Sequence, residues 1–257
     1  MIKAAFFDID GTLLSFNTHQ VSQGTIEAFE MLQRQGVKTF ISSGRPKILI
    51  PPLPIHFDGY ITVNGGYVLA DDKVILRNPI PRQESNAYLR YVGENNITMM
   101  AFGEHRMYAN RHDAIARGLC DNLNLAMPPE ADIEQLRDQE FFQYIAFVPR
   151  EKDPELKALL PHCRLPRWHH SFCDIVSVEN SKASGIEAIL KHLGIKQNET
   201  IAFGDGGNDI EMLEYCGIGV AMGNASEEVK RHANHVTTSV DEEGIYTALK
   251  NLNIIQL

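Results

Sequence analysis

Residues 4–14 read AAFFDIDGTLL, four apolar residues followed at once by a segment that holds two aspartates and a glycine. The short apolar run at 4–7 predicts a buried strand. Asp8 and Asp10 come directly after it, and residues two apart in an extended chain point to the same face. Gly11 permits a tight turn beside an anion. The segment therefore predicts a strand whose end carries two carboxylates.

Both ends of the chain repeat this alternation of apolar runs and amphipathic stretches. Strands are expected at 37–41, 60–63, 200–203 and 218–222, with a hairpin at 67–69 and 74–76. Helices are expected at 22–35 and 210–216, after residues 225 and 243, and ahead of Gly194, where apolar residues recur at helical spacing. Such alternation is typical of the α/β class with a doubly wound, Rossmann-like parallel sheet and helices on both faces.

The middle of the chain has a different pattern. Its strand candidates, at 98–102 and 142–148, are less regularly spaced. We therefore expect an inserted α+β cap domain at residues 82–178. The core domain is then built from residues 1–81 and 179–257.

Composition narrows the classes of partner. The 257 residues are 44% hydrophobic and 22% charged, as in globular proteins. Lys and Arg number 24 against 33 Asp and Glu, a net charge of −9. Such a surface repels a nucleic-acid backbone, whose binding needs cations. A small phosphorylated molecule stays compatible, because a bound divalent cation reverses the sign of a small pocket.

Other sequence features limit location and cofactors. The sequence has no 18-residue apolar run, so no membrane partner is expected. An acidic residue at position 8 comes too early for the apolar region of a signal peptide, so a cytoplasmic location is expected. The four cysteines form no CxxC pair, which argues against a zinc site and against a disulfide framework. A monomer or a small homo-oligomer is expected.

Acidic residues follow two of the predicted strands. Ligands of open parallel sheets bind at the carboxyl ends of the strands. Asp8 and Asp10 follow the first strand, and Asp205 and Asp209 follow a later one. Carboxylates that converge on one edge repel one another unless a cation lies between them, and oxygen ligands of this kind suit Mg²⁺. One of Asp8 and Asp10 can attack phosphorus, and the other can act as general acid and base.

The remaining polar residues fit a phosphoryl group. Ser43 offers a hydroxyl, Gly44 an unobstructed amide and Asn208 an amide donor to phosphate oxygens. Lys182 supplies a compact positive charge. Together these groups match phosphoryl transfer by positioning and electrostatics.

These motifs carry a family resemblance. The runs FFDIDGTLL at 6–14, SSGRP at 42–46 and GDGGNDIEML at 204–213, with a lone Lys182 before a helix, resemble the haloacid dehalogenase superfamily. The large insertion and the NGG at 64–66 resemble its Cof-like sugar-phosphatase branch, which has a type IIB cap. The motifs cover both ends of the chain in the order of the family.

The resemblance implies a role for each motif residue. It implies that Asp8 is the phosphorylated nucleophile and Asp10 the general acid and base. It implies Mg²⁺ held by the Asp8 carboxylate, the Asp10 carbonyl and Asp205. It implies phosphate contacts from the Ile9 backbone, Ser43, Gly44, Lys182 and Asn208, and a supporting position for Asp209. Supporting positions are also expected for Thr12 and Arg45, although contact with substrate stays open for Arg45.

The chain departs from the family pattern at two positions. Ser43 stands where Thr is common in this branch, which keeps the hydroxyl. Ala183 and Ser184 follow Lys182 where Gly is common, which alters only how the helix starts. In the insertion, six residues are candidates for a substrate entrance, although a surface or core-edge role is favoured for each: Arg106, Tyr108, His112, Trp168, His169 and His170.

The resemblance implies a Mg²⁺-dependent phosphatase acting on small phosphorylated metabolites, with sugar phosphates of the hexose and pentose type foremost. Two other functions stay open. A sugar phosphomutase uses the same two aspartates and returns the phosphoryl group to a sugar. A non-catalytic sensor of phosphorylated sugars binds without turnover, although both catalytic carboxylates are retained here.

Overall fold

The structure is a computed structural model that describes residues 1–122, 125–167 and 170–256. Strands and helices are numbered in chain order. The strands of the described residues are β1 (Ala4–Phe7), β2 (Lys38–Ser42), β3 (Gly59–Thr62), β4 (Tyr67–Ala70), β5 (Lys73–Arg77), β6 (Met99–Phe102), β7 (Met107–Ala109), β8 (Gln143–Ala146), β9 (Cys163–Arg164), β10 (Cys173–Ser177), β11 (Thr200–Gly204), β12 (Ile218–Ala221) and β13 (His235–Val236).

The α-helices of the same residues are α1 (Gln23–Arg34), α2 (Arg82–Glu94), α3 (Ala114–Asn122), α4 (Ile133–Leu136), α5 (Asp153–Leu159), α6 (Lys182–Leu193), α7 (Ile210–Tyr215), α8 (Glu227–Arg231) and α9 (Gly244–Asn251). No helix in the described part of the chain is long and apolar enough to cross a membrane.

Backbone contacts divide the chain into two compact units. The first unit comprises Met1–Gly44, Pro51–Arg77 and Ser181–Leu257, and the second comprises Arg45–Ile50 and Asn78–Asn180. The second unit thus includes a short early segment as well as the long insertion. The catalytic role of the core domain at 1–81 and 179–257 stays a prediction. The substrate-selecting role of the cap domain at 82–178 stays a prediction as well.

The sheet of the first unit has the order β13-β12-β11-β1-β2-β3-β4-β5. Neighbours from β13 to β3 are parallel, whereas β3, β4 and β5 are joined by antiparallel pairings. From β1 the chain adds β2 and β3 on one side and later β11, β12 and β13 on the other. This order confirms the predicted doubly wound sheet, and the order reverses at β1.

Strand β1 is buried on both faces because helices cover the sheet on both sides. Ala4 and Phe6 share a core cluster with Ile186 of α6 and Met212 of α7. On the other face Phe7 packs on Phe29 of α1, with ring centroids 4.5 Å apart. The continuous apolar run that predicted this strand is what a two-sided burial requires.

The predicted helix boundaries of the first unit are confirmed by their caps. Ser22 caps α1 by accepting a hydrogen bond from the Thr25 amide. Ser181 caps α6 in the same way by accepting from the Ser184 amide. Gly194 ends α6 with a left-handed φ of 67°, a conformation that glycine adopts without steric cost. These caps place Lys182 at the first position of α6.

The second unit is α+β, as expected for the insertion. Its strands form an antiparallel sheet of order β7-β6-β8-β10-β9. Its core includes Tyr88, Leu89, Tyr144 and Ile175, all fully buried. The predicted strands at 98–102 and 142–148 correspond to β6 and β8. The four cysteines of the chain are free and buried, which agrees with the absence of a predicted disulfide framework.

Candidate active site

Polar residues of the first unit meet where its parallel strands end. Asp8 follows β1, Ser43 follows β2 and Asp205 follows β11, and these three strands are neighbours in the sheet. Parallel strands end at the same edge, so their following residues lie close together. The site therefore lies at the point where the strand order reverses, as predicted from the sequence.

Three carboxylates and one lysine form the centre of this site. Oxygens of Asp8, Asp205 and Asp209 all lie within 4.8 Å of one another. The Lys182 ammonium lies 2.5 Å from Asp8 Oδ1 and also donates to Asp209 Oδ1. Lys182 is 1% exposed. A buried ammonium between two carboxylates fixes both of them in position.

Asp209 holds the loop that follows β11. Its Oδ2 accepts hydrogen bonds from the amides of Asp205 at 2.9 Å and Gly206 at 2.8 Å, while its Oδ1 accepts from Lys182. Both oxygens of this fully buried side chain are thus engaged by protein donors. Asp209 therefore connects the loop of Asp205 to Lys182, and its supporting role in a reaction stays a prediction.

The pKa values of the cluster reflect its burial and its excess of negative charge. Burial, with a further contribution from Asp209, raises the pKa of Asp8 well above its ordinary value, against the lowering effect of Lys182. Burial raises the pKa of Asp205 to about 6. Burial opposes the charge of Lys182, but Asp209 and Asp8 outweigh it and raise the pKa of Lys182.

The cluster fits a divalent cation. With all four groups ionised, one ammonium and three carboxylates give 1 − 3 = −2. Burial makes this charge costly, and hard oxygen donors are the ligands that Mg²⁺ prefers. Asp209 is fully buried and accepts three hydrogen bonds from protein donors, whereas Asp205 is only half-buried and accepts two, so Asp8 and Asp205 are the carboxylates better suited to hold the ion. The Asp10 carbonyl as a further ligand stays a prediction.

The turn after β1 brings Gly11 against Asp205. Gly11 has a φ of 84°, and a Cβ at this position would lie 2.2 Å from Asp205 Oδ2. Thr12 Oγ1 donates to Asp205 Oδ1 at 2.9 Å. Glycine is therefore required for both its conformation and its size. Thr12 thus contacts Asp205, and its supporting role in a reaction stays a prediction.

Asn224, in the loop after β12, was not found by the sequence analysis. Its Nδ2 donates to Asp205 Oδ2 at 3.1 Å and to the Gly11 carbonyl at 2.9 Å, and its Oδ1 accepts from the Val240 amide. Asn224 therefore joins three loops at the carboxylate cluster. The available signal was its place after the next parallel strand, since that strand ends at the same edge of the sheet.

Ile9 and Asp10 occupy the turn between Asp8 and Gly11. The buried Ile9 accepts hydrogen bonds at its carbonyl from the amides of Leu13 and Leu14. Asp10 is half-buried and forms a backbone bridge with Leu14. The negative charge of Asp10 adds to the raised pKa of Asp205, after burial and the charge of Asp209.

The predicted phosphate-binding residues Ser43, Gly44 and Asn208 come together around Asn64. The backbone N–H of Asn64 donates to the Ser43 carbonyl at 3.1 Å, and Asn208 Nδ2 donates to Asn64 Oδ1 at 3.1 Å. A Cβ on Gly44 would lie 3.3 Å from both side-chain polar atoms of Asn64. Asn64 itself carried no predicted role, although NGG at 64–66 was part of the family resemblance.

Arg45 and the candidates for a substrate entrance belong to the second unit. Arg45 Nη1 donates to the Leu49 carbonyl at 2.9 Å. Tyr108 packs edge-on against Phe141, and His112 Nε2 lies 2.7 Å from the Pro128 carbonyl. Two further candidates, Arg106 and His170, are exposed, and Trp168 and His169 lie outside the described residues.

Comparison with known proteins gives consistent matches along the chain. A model of haloacid dehalogenase-like hydrolases matches residues 5–249. The "Putative phosphatase YkrA" of Bacillus subtilis is 35% identical over 258 residues, 99% of each chain. The HAD subclass IIB sugar phosphatase BT4131 has a similar structure, with a TM-score of 0.88, 39% identity and coverage of 98% of this chain and 100% of that one.

A second solved phosphatase, BT1666 from Bacteroides thetaiotaomicron, matches equally well. It superposes with a TM-score of 0.89 at 36% identity, covering 99% of this chain and 96% of its own. The similarity therefore extends over both units of the chain.

Proposed function

The chain belongs to the haloacid dehalogenase-like hydrolases, in their Cof-like branch, and is a phosphatase of that superfamily. From this premise we propose that it hydrolyses hexose and pentose phosphates, with Mg²⁺ as cofactor and through an aspartyl-phosphate on Asp8. One observation carries the proposal: Asp8 is buried at the end of β1, 2.5 Å from the ammonium of Lys182, with Asp205 and Asp209 beside it. A carboxylate held in this way is oriented for attack on phosphorus.

The first step transfers the phosphoryl group to the protein. A carboxylate oxygen of Asp8 attacks phosphorus, and the bond between phosphorus and the sugar oxygen breaks. Asp10 donates its proton to that oxygen, so the sugar leaves as a neutral alcohol. The half-buried Asp10 suits this role because it stays in reach of solvent, whereas Asp8 is shielded from it.

The second step regenerates Asp8. Asp10, now a carboxylate, takes a proton from water as the water oxygen attacks phosphorus. The bond between phosphorus and the Asp8 oxygen breaks, and inorganic phosphate leaves. Lys182 offsets the negative charge on Asp8 and on the transferring group in both steps.

Phosphate and metal are assigned to different residues of the site. The phosphate oxygens accept hydrogen bonds from five residues: Ile9 through its backbone amide, Ser43, Gly44, Lys182 and Asn208. Asp8, Asp205 and the Asp10 carbonyl would hold Mg²⁺, which when bound would neutralise charge on the carboxylates and on the phosphoryl group. Thr12, Asp209 and Asn224 hold Asp205 in place through the hydrogen bonds described above.

Selection among sugars is assigned to residues 82–178, as the cap domain of the core at 1–81 and 179–257. A sugar-phosphate substrate class is supported by the similarity to BT4131, a sugar phosphatase of HAD subclass IIB. The residues that select one sugar over another are sought in this domain, since the phosphate-binding residues contact only the group that all these substrates share.

Phosphate release from a panel of hexose and pentose phosphates, with and without Mg²⁺, tests the proposal. Asp10→Asn is expected to lower the rate about 10²–10⁴-fold, because it removes general acid and base catalysis. Asp72→Asn is the matched control, since Asp72 is an exposed aspartate in the β4–β5 turn whose left-handed φ of 57° suits Asn equally. This control is expected to keep the rate of the unmodified protein.

Three other results would contradict the proposal. Tight binding of phosphorylated sugars without phosphate release would indicate a sensor. Turnover that depends on a sugar bisphosphate and yields an isomeric sugar phosphate would indicate a mutase. Full activity without a divalent cation would contradict the assignment of the carboxylate cluster.

A further inference from the structure

Three successive residues beside the candidate site have left-handed backbone conformations. The φ angles of Val63, Asn64 and Gly65 are 47°, 53° and 92°. A positive φ suits glycine and is tolerated by asparagine, but for a β-branched valine it is a true outlier. Strained backbone of this kind persists only where its surroundings hold it, and it concentrates at functional sites.

This turn contacts the elements that carry the predicted phosphate donors. In this turn the backbone N–H of Asn64 donates to the Ser43 carbonyl at 3.1 Å. Gly65 lies against Ser181, the residue that precedes Lys182, so closely that a Cβ would lie 1.9 Å from the Ser181 carbonyl oxygen. Asn64 Oδ1 accepts from Asn208 Nδ2 at 3.1 Å. The strained turn thus touches the segments after β2, before α6 and after β11.

Asn64 combines two properties at one position. Its backbone adopts the left-handed conformation that the turn needs, and its 7% exposed side chain supplies an acceptor to Asn208. The amide of Asn208 has two N–H groups, and binding one of them to Asn64 fixes the direction of the other. Glycine at position 64 would keep the backbone but lose the acceptor.

We propose that Asn64 is a positioning residue for the phosphate group: it orients the Asn208 amide through its side chain and the Ser43–Gly44 loop through its backbone. This inference rests on the proposed function, because it takes Asn208 and Ser43 as donors to phosphate. It accounts for the strain at Val63, since the turn must bring Asn64 to Ser43 and Asn208 at once.

The test uses inorganic phosphate as a competitive inhibitor of the Mg²⁺-loaded enzyme. Asn64→Gly is expected to raise the inhibition constant of phosphate about tenfold with little change in thermal stability, since glycine keeps the turn. Asn208→Ala is expected to raise it by a similar factor. The double variant is expected to match Asn208→Ala alone, because Asn64 acts through Asn208.

Asn96→Gly is the matched control. Asn96 is an exposed asparagine of the second unit with a φ of 53°, and its Oδ1 accepts from Arg111 at 2.7 Å. Asn96→Gly therefore removes the same side-chain atoms from the same backbone conformation. The inhibition constant of phosphate is expected to stay unchanged in this variant.

The outcomes separate the inference from the proposed function. An unchanged inhibition constant in Asn208→Ala would overturn the phosphate role of Asn208 and, with it, the inference. A raised constant in Asn208→Ala with an unchanged one in Asn64→Gly would overturn the inference alone. Single effects that multiply in the double variant would also overturn it, since two independent residues behave in that way.

Discussion

Each unit of the molecule buries a carboxylate, and the two carboxylates are balanced in different ways. Asp8 of the first unit is 7% exposed and Glu84 of the second is 6% exposed. Asp8 shares one ammonium with Asp209 and lies beside Asp205. Glu84 instead accepts from the His162 amide at 3.2 Å and the Cys163 thiol at 3.3 Å, and its Oε1 lies 2.5 Å from His162 Nδ1.

The two carboxylates thus differ in charge balance and hardly in burial, which is the difference expected if Asp8 has the role proposed for it. Around Glu84 the donors belong to one neighbouring segment and no second buried carboxylate is among the contacts described above. Around Asp8 three carboxylates of the described residues outnumber the one ammonium among their contacts, and a bound cation or a proton reduces this imbalance. We call Asp8, Asp205, Asp209 and Lys182 the first cluster, and Glu84, His162 and Cys163 the second cluster. We therefore expect changes in the first cluster to affect activity and stability together, and changes in the second cluster to affect stability alone.

The largest effect is expected for Lys182→Gln. The change leaves Asp8 and Asp209 buried without their cation, which costs about 3–5 kcal/mol in unfolding free energy, and it abolishes phosphate release. The measurements are chemical denaturation in the presence of a chelator and turnover with Mg²⁺. Lys38→Gln is the control, because its ion pair with Asp58, at 2.6 Å, leaves the lysine side chain 46% exposed and is worth less than about 1 kcal/mol.

The same variant has a defined pH dependence. Burial already raises the pKa of Asp8 above its unfolded value, and removing Lys182 takes away a lowering contribution. The folded state therefore binds more protons, so the stability of the variant falls as the pH rises through the folded pKa of Asp8 and returns as the pH falls. A stability independent of pH between 4 and 8 would contradict the charge imbalance.

A smaller effect is expected for Glu84→Gln. The amide replaces a carboxylate that accepts from three groups of the segment His162–Cys163, and weaker or unmade hydrogen bonds cost about 1–3 kcal/mol in unfolding free energy. Turnover is expected to stay within about twofold at a temperature where the variant is folded. A large loss of turnover in the folded variant would show that the second cluster also serves the reaction.

The first cluster was also the more predictable of the two. Asp8, Asp205 and Asp209 follow strands whose apolar runs are visible in the sequence, and a parallel sheet brings strand ends together. Lys182 enters through the first turn of a helix, at a position marked by the family resemblance. Glu84 lies on α2, where the sequence analysis predicted no helix, and its partners are 78 and 79 residues away in the chain.

Asn64 and Asn224 were given no role in the sequence analysis for a different reason. Each acts through backbone geometry as much as through its side chain. Asn64 depends on a left-handed turn that begins at a valine, which residue preference argues against. Asn224 donates to a backbone carbonyl and accepts from a backbone amide, and such contacts leave no pattern in the residue types.

The smallest difference between the two units is expected in the reactivity of their cysteines, because both units bury their thiols in the neutral form. Burial raises the pKa of Cys216 in the first unit and of Cys173 in the second to about 12, from an ordinary value of 9.0. Only the thiolate reacts with a disulfide reagent, and at pH 8 a thiol with such a pKa is ionised to about one part in 10⁴. Neither cysteine is expected to react in the native protein, whereas all four react after denaturation. Glutathione in the same solution is the control, and peptide mapping identifies any labelled residue. Reaction of Cys173 alone at the rate of glutathione would show that the second unit opens far more readily than the first. The different effects of changes at Asp8 and Glu84 would then be explained by local opening of the second unit and not by charge balance.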